Sequence, residues 1–340
     1  MPNAPKHILV IRLSAMGDVA MTVNVLRAFT KQYPLVKITV LTRGFFSPFF
    51  RDIENVSVFA ADLKGEHKGV YGLYKLARQL NKEHKFYAIA DLHNVLRTKV
   101  LKKIIRCKRF ASINKGRAEK KALTTGKIFE QLKTTHQRYA DVFKTLGFPV
   151  DLSNPTFPEP KAIHFINFDG LNSKTEKWIG IAPFAAHKGK MYPLELMTEV
   201  IESLSKNYKV ILFGGGNEES KILEAIEKKY PTCINLAGKL TLKEELDVIS
   251  NLDVMLSMDS GNAHLAAMLG VKVITIWGVT HPYAGFAPFN QPEDYALVAN
   301  RDLFPQIPTS VYGNKYPKNY KDAAGSISSQ IIINKIESII

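Results

Sequence analysis

Short apolar runs rich in β-branched residues recur along the chain, and segments with the three-to-four-residue spacing of amphipathic helices separate them. This alternation predicts parallel sheets, because parallel strands need crossover connections that helices usually supply. The runs assigned to strands are residues 7–13, 37–43, 56–61, 87–93 and 109–114, and then residues 178–184, 209–213, 233–236, 253–258, 272–277 and 295–299.

A proline-rich stretch at residues 148–161 separates the fifth run from the sixth, and 340 residues exceed the size of one typical domain. We therefore predict an α/β protein with two doubly wound parallel-sheet domains, at residues 1–155 and 156–325. Isoleucines at helical spacing predict a packed terminal helix at residues 326–340. Ligands of such sheets bind beyond the carboxyl ends of the strands, so we expect a site in the cleft between the domains.

The composition, with 46% apolar and 23% charged residues, is that of a folded globular protein. No apolar run is long enough to span a membrane, and the first residues lack the features of a signal peptide, so we expect a cytoplasmic protein. Cys107 and Cys233 lie far apart in the sequence. We expect buried, inert thiols rather than a disulfide framework or a zinc site.

The net charge of +15 is concentrated in the first half of the chain. Residues 1–160 contain 28 Lys and Arg against 12 Asp and Glu, whereas residues 161–340 contain 18 against 19. Residues 97–121 alone hold eleven basic residues and one acidic residue. Such a field attracts phosphate-bearing partners, whether anionic lipid, nucleic acid or an acidic glycan. A solvated basic face without a specific ligand is the alternative.

The strongest candidate site follows the run at residues 253–258, where Asp259, Ser260, Gly261 and His264 lead into an Ala/Leu-rich helical pattern. The free N–H groups and positive dipole of a helix start favour an anion such as a pyrophosphate. We expect Ser260 and Gly261 to offer a hydroxyl and an open amide, and His264 to donate to a phosphate or cap the loop. Asp259 would repel a phosphate, so it orients the loop or accepts hydrogen bonds from sugar hydroxyls. An ordinary helix cap is the alternative.

A second candidate follows the first run. Gly17 predicts a tight turn with close backbone approach, and Asp18 falls near the start of the helical pattern at residues 19–32. Asp18 is either a helix cap or a general base. Because the positive end of a helix stabilises a carboxylate, a base at this position needs orientation by hydrogen bonds and exclusion of water.

Lys188 and Lys190 lie between the run at residues 178–184 and the helix that Pro193 begins. A lysine at this strand end would neutralise a leaving diphosphate. A solvated lysine is the alternative for either residue taken alone.

A glycine run begins at Gly214, after the run at residues 209–213, and Glu218 follows it. The run fits neither a phosphate-binding Walker motif nor a complete dinucleotide-binding motif. It indicates a tight turn or backbone that a ligand approaches. Glu218 either accepts hydrogen bonds from ribose hydroxyls or is an ordinary acid in a first helical turn.

The sequence shows no D-x-D pair, no H-E-x-x-H motif and no G-x-S-x-G motif, and its nine histidines are scattered. We therefore expect no metal site and no cofactor. The chemistry would depend on a base, phosphate-stabilising groups and positioning.

These features resemble the bacterial ADP-heptose:lipopolysaccharide heptosyltransferases of glycosyltransferase family 9. The matching segments are residues 8–26 (ILVIRLSAMGDVAMTVNVL), 87–98 (YAIADLHNVLRT), 136–147 (HQRYADVFKTLG), 190–193 (KMYP), 213–218 (FGGGNE) and 259–282 (DSGNAHLAAMLGVKVITIWGVTHP). The first and last segments are specific in combination, and the others are supportive.

The resemblance implies a GT-B fold of two Rossmann-like domains and the inverting transfer of heptose from ADP-heptose to a Kdo/lipid A acceptor, with Asp18 as general base. The donor residues that it implies are Gly17, Lys190, Gly214, Glu218, Asp259, Ser260, Gly261 and His264. The acceptor residues are His93, Asn94, Arg97 and His136. The basic tract at residues 97–121 would face the acidic phosphorylated glycolipid at the inner face of the cytoplasmic membrane, with its anionic surface.

Three other interpretations stay open at this point. The chain is a transferase of the same fold that uses another nucleotide sugar, an epimerase of that fold, or a protein whose basic first half binds nucleic acid. The basic tract lacks interleaved aromatic residues that stack on bases, so we do not expect nucleic acid as a partner.

Overall fold

A computed structural model describes residues 6–163, 166, 168, 170–171 and 174–340. The strands are β1 (His7–Ile11), β2 (Lys37–Thr42), β3 (Val56–Ala60), β4 (Ala88–Asp91), β5 (Phe110–Ser112), β6 (Trp178–Ala182), β7 (Lys209–Leu212), β8 (Cys233–Asn235), β9 (Val254–Met258), β10 (Lys272–Trp277) and β11 (Ala296–Val298). The α-helices are α1 (Met16–Gln32), α2 (Gly69–Glu83), α3 (Leu96–Ile104), α4 (Arg117–Thr124), α5 (Thr135–Thr145), α6 (Leu194–Leu204), α7 (Asn217–Lys229), α8 (Leu242–Ile249), α9 (Gly261–Met268) and α10 (Ser329–Glu337).

Each strand lies inside one of the runs predicted from the sequence, so the predicted α/β alternation is confirmed. Within the described ranges, no helix combines the length and the apolar character that a membrane crossing requires. The first five residues, on which the expectation of a chain without a signal peptide depends, lie outside the described residues.

The first of two compact units comprises the described residues up to Lys115 together with Thr135–Thr156. Its sheet is parallel throughout, with the strand order β3-β2-β1-β4-β5. The central strand β1 is almost wholly buried, as expected for a parallel sheet that helices cover. Helix α1 packs against α5, where the ring centroids of Phe29 and Phe143 lie 4.7 Å apart.

The second unit comprises Gly116–Thr134 and the described residues from Phe157 to Ile340. Its sheet is also parallel, with the strand order β11-β10-β9-β6-β7-β8. Helix α10 packs on α6, and Ile332 and Ile336 are fully buried in the core of this unit. Helix α10 lies within residues 326–340, the segment for which a packed terminal helix was predicted.

The segment Gly116–Thr134, which contains α4, belongs to the second unit although α5 of the first unit follows it directly in the sequence. Leu123 and Leu132 pack with Ala284, and the Leu132 N–H donates to the Tyr283 carbonyl at 2.9 Å. No local pattern in the sequence indicated this placement.

Each sheet has one position where the winding direction of the chain reverses. In the first sheet β1 leads towards β2 and β3, whereas the adjacent β4 leads towards β5. In the second sheet the corresponding neighbours are β6 and β9. In doubly wound sheets the loops after such neighbouring strands diverge, and ligands bind in the crevice between them.

The two cysteines differ in burial. Cys233 is buried, and burial raises the pKa of its thiol to about 12. Cys107 is only partly buried, so the expectation that both thiols are buried is wrong for this one. Its position just after the end of α3 leaves part of the side chain outside the core.

Candidate functional site

Lys190 and Asp259 meet at the reversal point of the second sheet. Lys190 ends a short 3-10 turn in the loop after β6, and Asp259 directly follows β9. The Lys190 ammonium nitrogen lies 2.8 Å from Oδ2 of Asp259, and the Thr280 hydroxyl donates to the same oxygen at 2.9 Å. An ammonium group has three N–H donors, so Lys190 keeps donors for an anion while Asp259 fixes its position.

The aliphatic stem of Lys190 rests against Gly313. A Cβ atom at Gly313 would lie 2.5 Å from Cγ of Lys190, and the φ angle of +77° also favours glycine there. The Ser310 hydroxyl oxygen accepts from the Gly313 N–H at 3.1 Å. On the other side of the turn, the Val279 N–H donates to the Gly189 carbonyl at 2.9 Å. Backbone contacts from two loops therefore fix the lysine.

Helix α9 begins directly after the segment that contains Asp259 and Ser260. Ser260 is the N-cap residue of α9, and its side chain caps none of the helix amides that the structure describes. Its hydroxyl oxygen lies instead 3.0 Å from that of Ser257. Gly261 is the first helical residue, and His264 is buried within the first turns. The geometry argues against the alternative of an ordinary serine cap.

The glycine run lies after β7, next to β6 in the sheet. A Cβ atom at Gly214 would lie 3.0 Å from a methyl carbon of Leu223, so packing already favours glycine there. The Gly215 N–H donates to Glu219 at 2.8 Å. Glu218 is exposed and lies 3.4 Å from Lys221. Glu219 therefore binds the turn, and Glu218 lies in the first turn of α7, where it is open to solvent.

Asp18 lies at the reversal point of the first sheet, in the first turn of α1. Its carboxylate pairs with Arg12 at 2.5 Å, and Arg12 also donates to the Leu92 carbonyl at 2.7 Å, so the guanidinium joins the ends of β1 and β4. The Ala15 N–H lies 3.4 Å from the same carboxylate. Because 29% of the Asp18 side chain remains exposed, it is both a capping group and a carboxylate that a ligand can reach.

The end of β4 places a histidine near this pair. Asp91 accepts the N–H groups of His93 and Asn94 at 3.0 and 2.8 Å, and the Thr98 hydroxyl donates to it at 2.8 Å. Burial, and then the nearby Arg12 charge, lower the pKa of His93 to about 4. The imidazole is therefore neutral near pH 7.

The other predicted residues of the first unit are more scattered. Gly17 lies within the first turn of α1, so the expectation of a tight turn before the helix is wrong. The helical pattern begins three residues earlier than predicted and includes this glycine. Arg97 is exposed on α3, and His136 is buried on α5. One turn after His136, the Tyr139 hydroxyl donates to the Asp18 carbonyl at 3.2 Å.

The predicted site residues divide between the two units. The first unit contains Gly17, Asp18, His93, Asn94, Arg97 and His136. The second contains Lys190, Gly214, Glu218, Asp259, Ser260, Gly261 and His264. Across the described part of the chain, no group of three or more His, Cys, Asp and Glu side chains could hold a metal ion.

Three residues of these sites were missed in the sequence. Arg12 directly follows a buried apolar strand, and Thr280 lies just beyond β10, so the rule that ligands bind at strand ends could have found both. Gly313 lies in a loop far from Lys190 in the sequence, and no local signal connects the two.

The basic tract at residues 97–121 is divided between the two units, with residues 97–115 in the first and residues 116–121 in the second. Lys120 on α4 is buried, and its ammonium nitrogen lies 3.9 Å from the ring centroid of Phe286. The tract therefore contributes fewer exposed charges than its sequence suggests.

A family model described as glycosyltransferase family 9 (heptosyltransferase) matches residues 73–302. The lipopolysaccharide core heptosyltransferase OpsX of Haemophilus influenzae is 27% identical over 318 residues, which cover 87% of this chain and 85% of that protein. The lipooligosaccharide heptosyltransferase 2 of the same organism is 26% identical over 308 residues, with coverage of 81% and 84%.

Solved structures show the same fold. A family 9 glycosyl transferase from Veillonella parvula has a TM-score of 0.77 at 22% identity, covering 100% of this chain and 98% of that one. Escherichia coli heptosyltransferase WaaC with ADP has a TM-score of 0.70 at 18% identity, with coverage of 98% and 100%.

Proposed function

The chain belongs to glycosyltransferase family 9, and on that premise we propose that it transfers heptose from ADP-heptose to the Kdo/lipid A inner core of a lipopolysaccharide. Its GT-B fold and its activity as a glycosyltransferase follow from the family. The observation that carries the donor assignment is the Lys190–Asp259 pair beside the start of α9. It combines a fixed cation with a helix N-terminus, and both favour a diphosphate.

In the proposed donor site, the diphosphate binds between the Lys190 ammonium and the amides of Ser260 and Gly261. Oδ2 of Asp259 orients the lysine and also accepts from Thr280, and in the proposed site the carboxylate accepts hydrogen bonds from sugar hydroxyls as well. Two solved structures of E. coli heptosyltransferase WaaC are described as complexes, one with ADP and one with ADP-2-deoxy-2-fluoro heptose, which supports an adenosine diphosphate donor.

The proposed reaction is a single displacement with inversion. The acceptor hydroxyl oxygen bonds to the anomeric carbon of heptose while the bond from that carbon to the β-phosphate oxygen breaks. Asp18 takes the hydroxyl proton, and ADP leaves with the electron pair of the broken bond. Lys190 and the α9 amides stabilise the charge on the leaving phosphate. Arg12 orients Asp18, and the proposal requires both sites to act on one sugar carbon.

We also propose a membrane location and a set of acceptor-binding residues. We expect peripheral association with the inner face of the cytoplasmic membrane, with its anionic surface. His93, Asn94, Arg97 and His136 are the proposed acceptor residues, and the neutral His93 can exchange hydrogen bonds with a sugar hydroxyl. Because Lys190 and a helix N-terminus balance the phosphate charge, we expect turnover to persist in excess chelator.

A donor panel tests the proposal. The purified chain is incubated with a Kdo/lipid A acceptor and, in turn, with ADP-heptose, UDP-sugars and GDP-sugars, and mass spectrometry follows the acceptor. We expect a mass increase of one heptose only with ADP-heptose. Turnover with a different donor alone would overturn the heptose assignment, and release of free sugar and nucleotide without transfer would indicate an epimerase or hydrolase.

A further inference from the structure

Helix α2 exposes three large side chains close to its start. Val70 is 74% exposed and Tyr71 is 82% exposed, and Tyr74 is exposed one turn later. On the opposite side of the helix, Leu73 and Leu76 are buried in the core of the first unit. Val70 and Tyr71 therefore contribute little to the packing of this unit.

Helix α3 adds a fourth exposed apolar side chain, that of Leu96, at the same edge of the sheet as the start of α2. The Asn81 amide donates to the Ile104 carbonyl at 3.2 Å and accepts from the Arg106 N–H at 2.8 Å, so the carboxyl ends of α2 and α3 lie side by side. Both helices are crossovers of one parallel sheet and run in the same direction. Leu96, the first residue of α3, therefore lies on the same side as the start of α2, and it is 78% exposed.

The charges on these two helices have almost one sign. Over α2 and α3 the sequence has seven basic residues and one acid, Glu83. The basic residues are Lys75, Arg78, Lys82, Arg97, Lys99, Lys102 and Lys103. We call these residues together with Val70, Tyr71, Tyr74 and Leu96 the α2–α3 surface. Exposed apolar side chains on helices that also carry basic residues are typical of protein segments that lie in a membrane interface.

We propose that the α2–α3 surface binds an anionic lipid bilayer, with its apolar side chains in the interface and its basic side chains over lipid phosphates. Tyrosines favour the headgroup region, and valine and leucine favour the adjoining hydrocarbon. Nucleic acid fits less well, because Val70 and Leu96 have no ring face on which a base could stack. The inference rests on the proposed function only in taking the acceptor to be a membrane lipid.

Such binding would bring the catalytic edge of the first unit close to the lipid. The starts of α1, α2 and α3 all follow the carboxyl ends of strands in one parallel sheet. Asp18 is in the first turn of α1 and therefore lies on the edge that carries Val70, Tyr71 and Leu96. A base on this edge meets a hydroxyl close to the lipid headgroups without removing the acyl chains from the bilayer.

Vesicle co-sedimentation of the full chain tests the proposal. We expect binding to phosphatidylcholine vesicles that contain phosphatidylglycerol, much weaker binding to phosphatidylcholine alone, and loss of binding as salt is raised. The triple variant Val70→Ser, Tyr71→Ser, Leu96→Ser should bind about tenfold more weakly or worse, because it removes apolar contacts and no charge.

Leu35→Ser is the matched control. Leu35 is 83% exposed but lies between the end of α1 and the start of β2, at the opposite edge of the sheet. It should bind vesicles as the unaltered chain does. Equal loss in both variants, no loss in the triple variant, or no preference for anionic vesicles would overturn the proposal. So would tighter binding to single-stranded or duplex nucleic acid than to the vesicles.

Turnover separates this inference from the proposed function. With an acceptor sugar that lacks acyl chains, the triple variant should match the unaltered chain, and with vesicle-embedded acceptor it should be about tenfold slower. If the unaltered chain uses neither acceptor, the proposed function fails, and vesicle binding still decides the role of the α2–α3 surface. If the triple variant and the unaltered chain turn over vesicle-embedded acceptor at equal rates, the membrane role of the α2–α3 surface is contradicted and the proposed function is not.

Discussion

The Lys190 ammonium nitrogen lies 2.8 Å from Oδ2 of Asp259, where the winding of the second sheet reverses. Both side chains are largely shielded from solvent, and Thr280 donates to the same carboxylate oxygen. An anion that binds here meets a cation whose position is already set, so little conformational entropy is lost on binding. The pair is therefore the natural first target for mutation.

Lys190→Met should weaken ADP binding by about tenfold to a hundredfold, because a charge-assisted hydrogen bond contributes about 1.5–3 kcal/mol. Methionine retains most of the aliphatic stem against Gly313, so the loop should keep its packing. Calorimetric titration with ADP measures the effect. Lys188→Ala, at the exposed end of the same turn, is the control and should bind ADP within about twofold of the unaltered chain. Equal losses in the two variants would contradict the role of Lys190.

The fold was largely predictable because buried parallel strands leave a direct trace in the sequence. Each observed strand lies within a predicted apolar run, and the runs were too long mainly at their carboxyl ends. Leu13 and Phe184, for example, remain buried after β1 and β6 have ended, so hydrophobicity alone could not place those boundaries. The chain stays buried for a few residues after the last hydrogen bond of the sheet, although its strand geometry has already ended.

The sequence predicted those residues of the candidate site that follow the ends of strands. Asp259, Lys190 and Asp18 each follow a strand, and parallel strands end at a common edge of their sheet. The partners that fix these residues depend on contacts between distant segments. The stem of Lys190 packs on Gly313, and no local sequence pattern predicts this contact. Nor does a local pattern predict that Gly116–Thr134 belongs to the second unit.

Gly313→Ala should weaken ADP binding although residue 313 contacts no proposed ligand. Its new methyl group would lie 2.5 Å from Cγ of Lys190, so the lysine must leave its position beside Asp259. Gly147→Ala provides the control, because its φ of +90° imposes a similar backbone cost of about 1 kcal/mol with nothing near the new methyl group. Both variants should unfold at lower temperature, and only Gly313→Ala should lose ADP affinity. If ADP affinity survives in both, Gly313 does not position the lysine.

Asp18→Asn should lower kcat by about a hundredfold to ten-thousandfold and leave ADP affinity unchanged, because it removes a proton acceptor and keeps the shape of the side chain. The change also leaves the buried Arg12 without its carboxylate, so thermal unfolding should be measured alongside. Arg12→Met separates the two effects, since it disturbs the orientation of Asp18 but retains the base, and it should lose less activity than Asp18→Asn. Turnover of Asp18→Asn at the unaltered rate would exclude Asp18 as the base.

His281 should make the stability of the second unit depend on pH. Burial, and then the charge of Arg301, lower the pKa of this histidine to about 4, and its Nδ1 accepts from the Tyr283 N–H at 3.2 Å. The unfolded chain takes up a proton near pH 6.5 and the folded chain only near pH 4. The stabilisation is therefore complete above about pH 6.5 and is lost as the pH falls towards 4, by about 3 kcal/mol at most.

The variant His281→Asn retains an acceptor for the Tyr283 N–H and removes the titrating group, so its free energy of unfolding should fall less steeply between pH 6.5 and 4. Denaturant unfolding at a series of pH values measures the slope. Some slope should remain, because burial lowers the pKa of His93 in the first unit to about 4 as well. An unchanged slope in His281→Asn would show that His281 already takes up its proton in the folded chain. The histidine would then be accessible to water despite its buried position beside Phe129 and Tyr283.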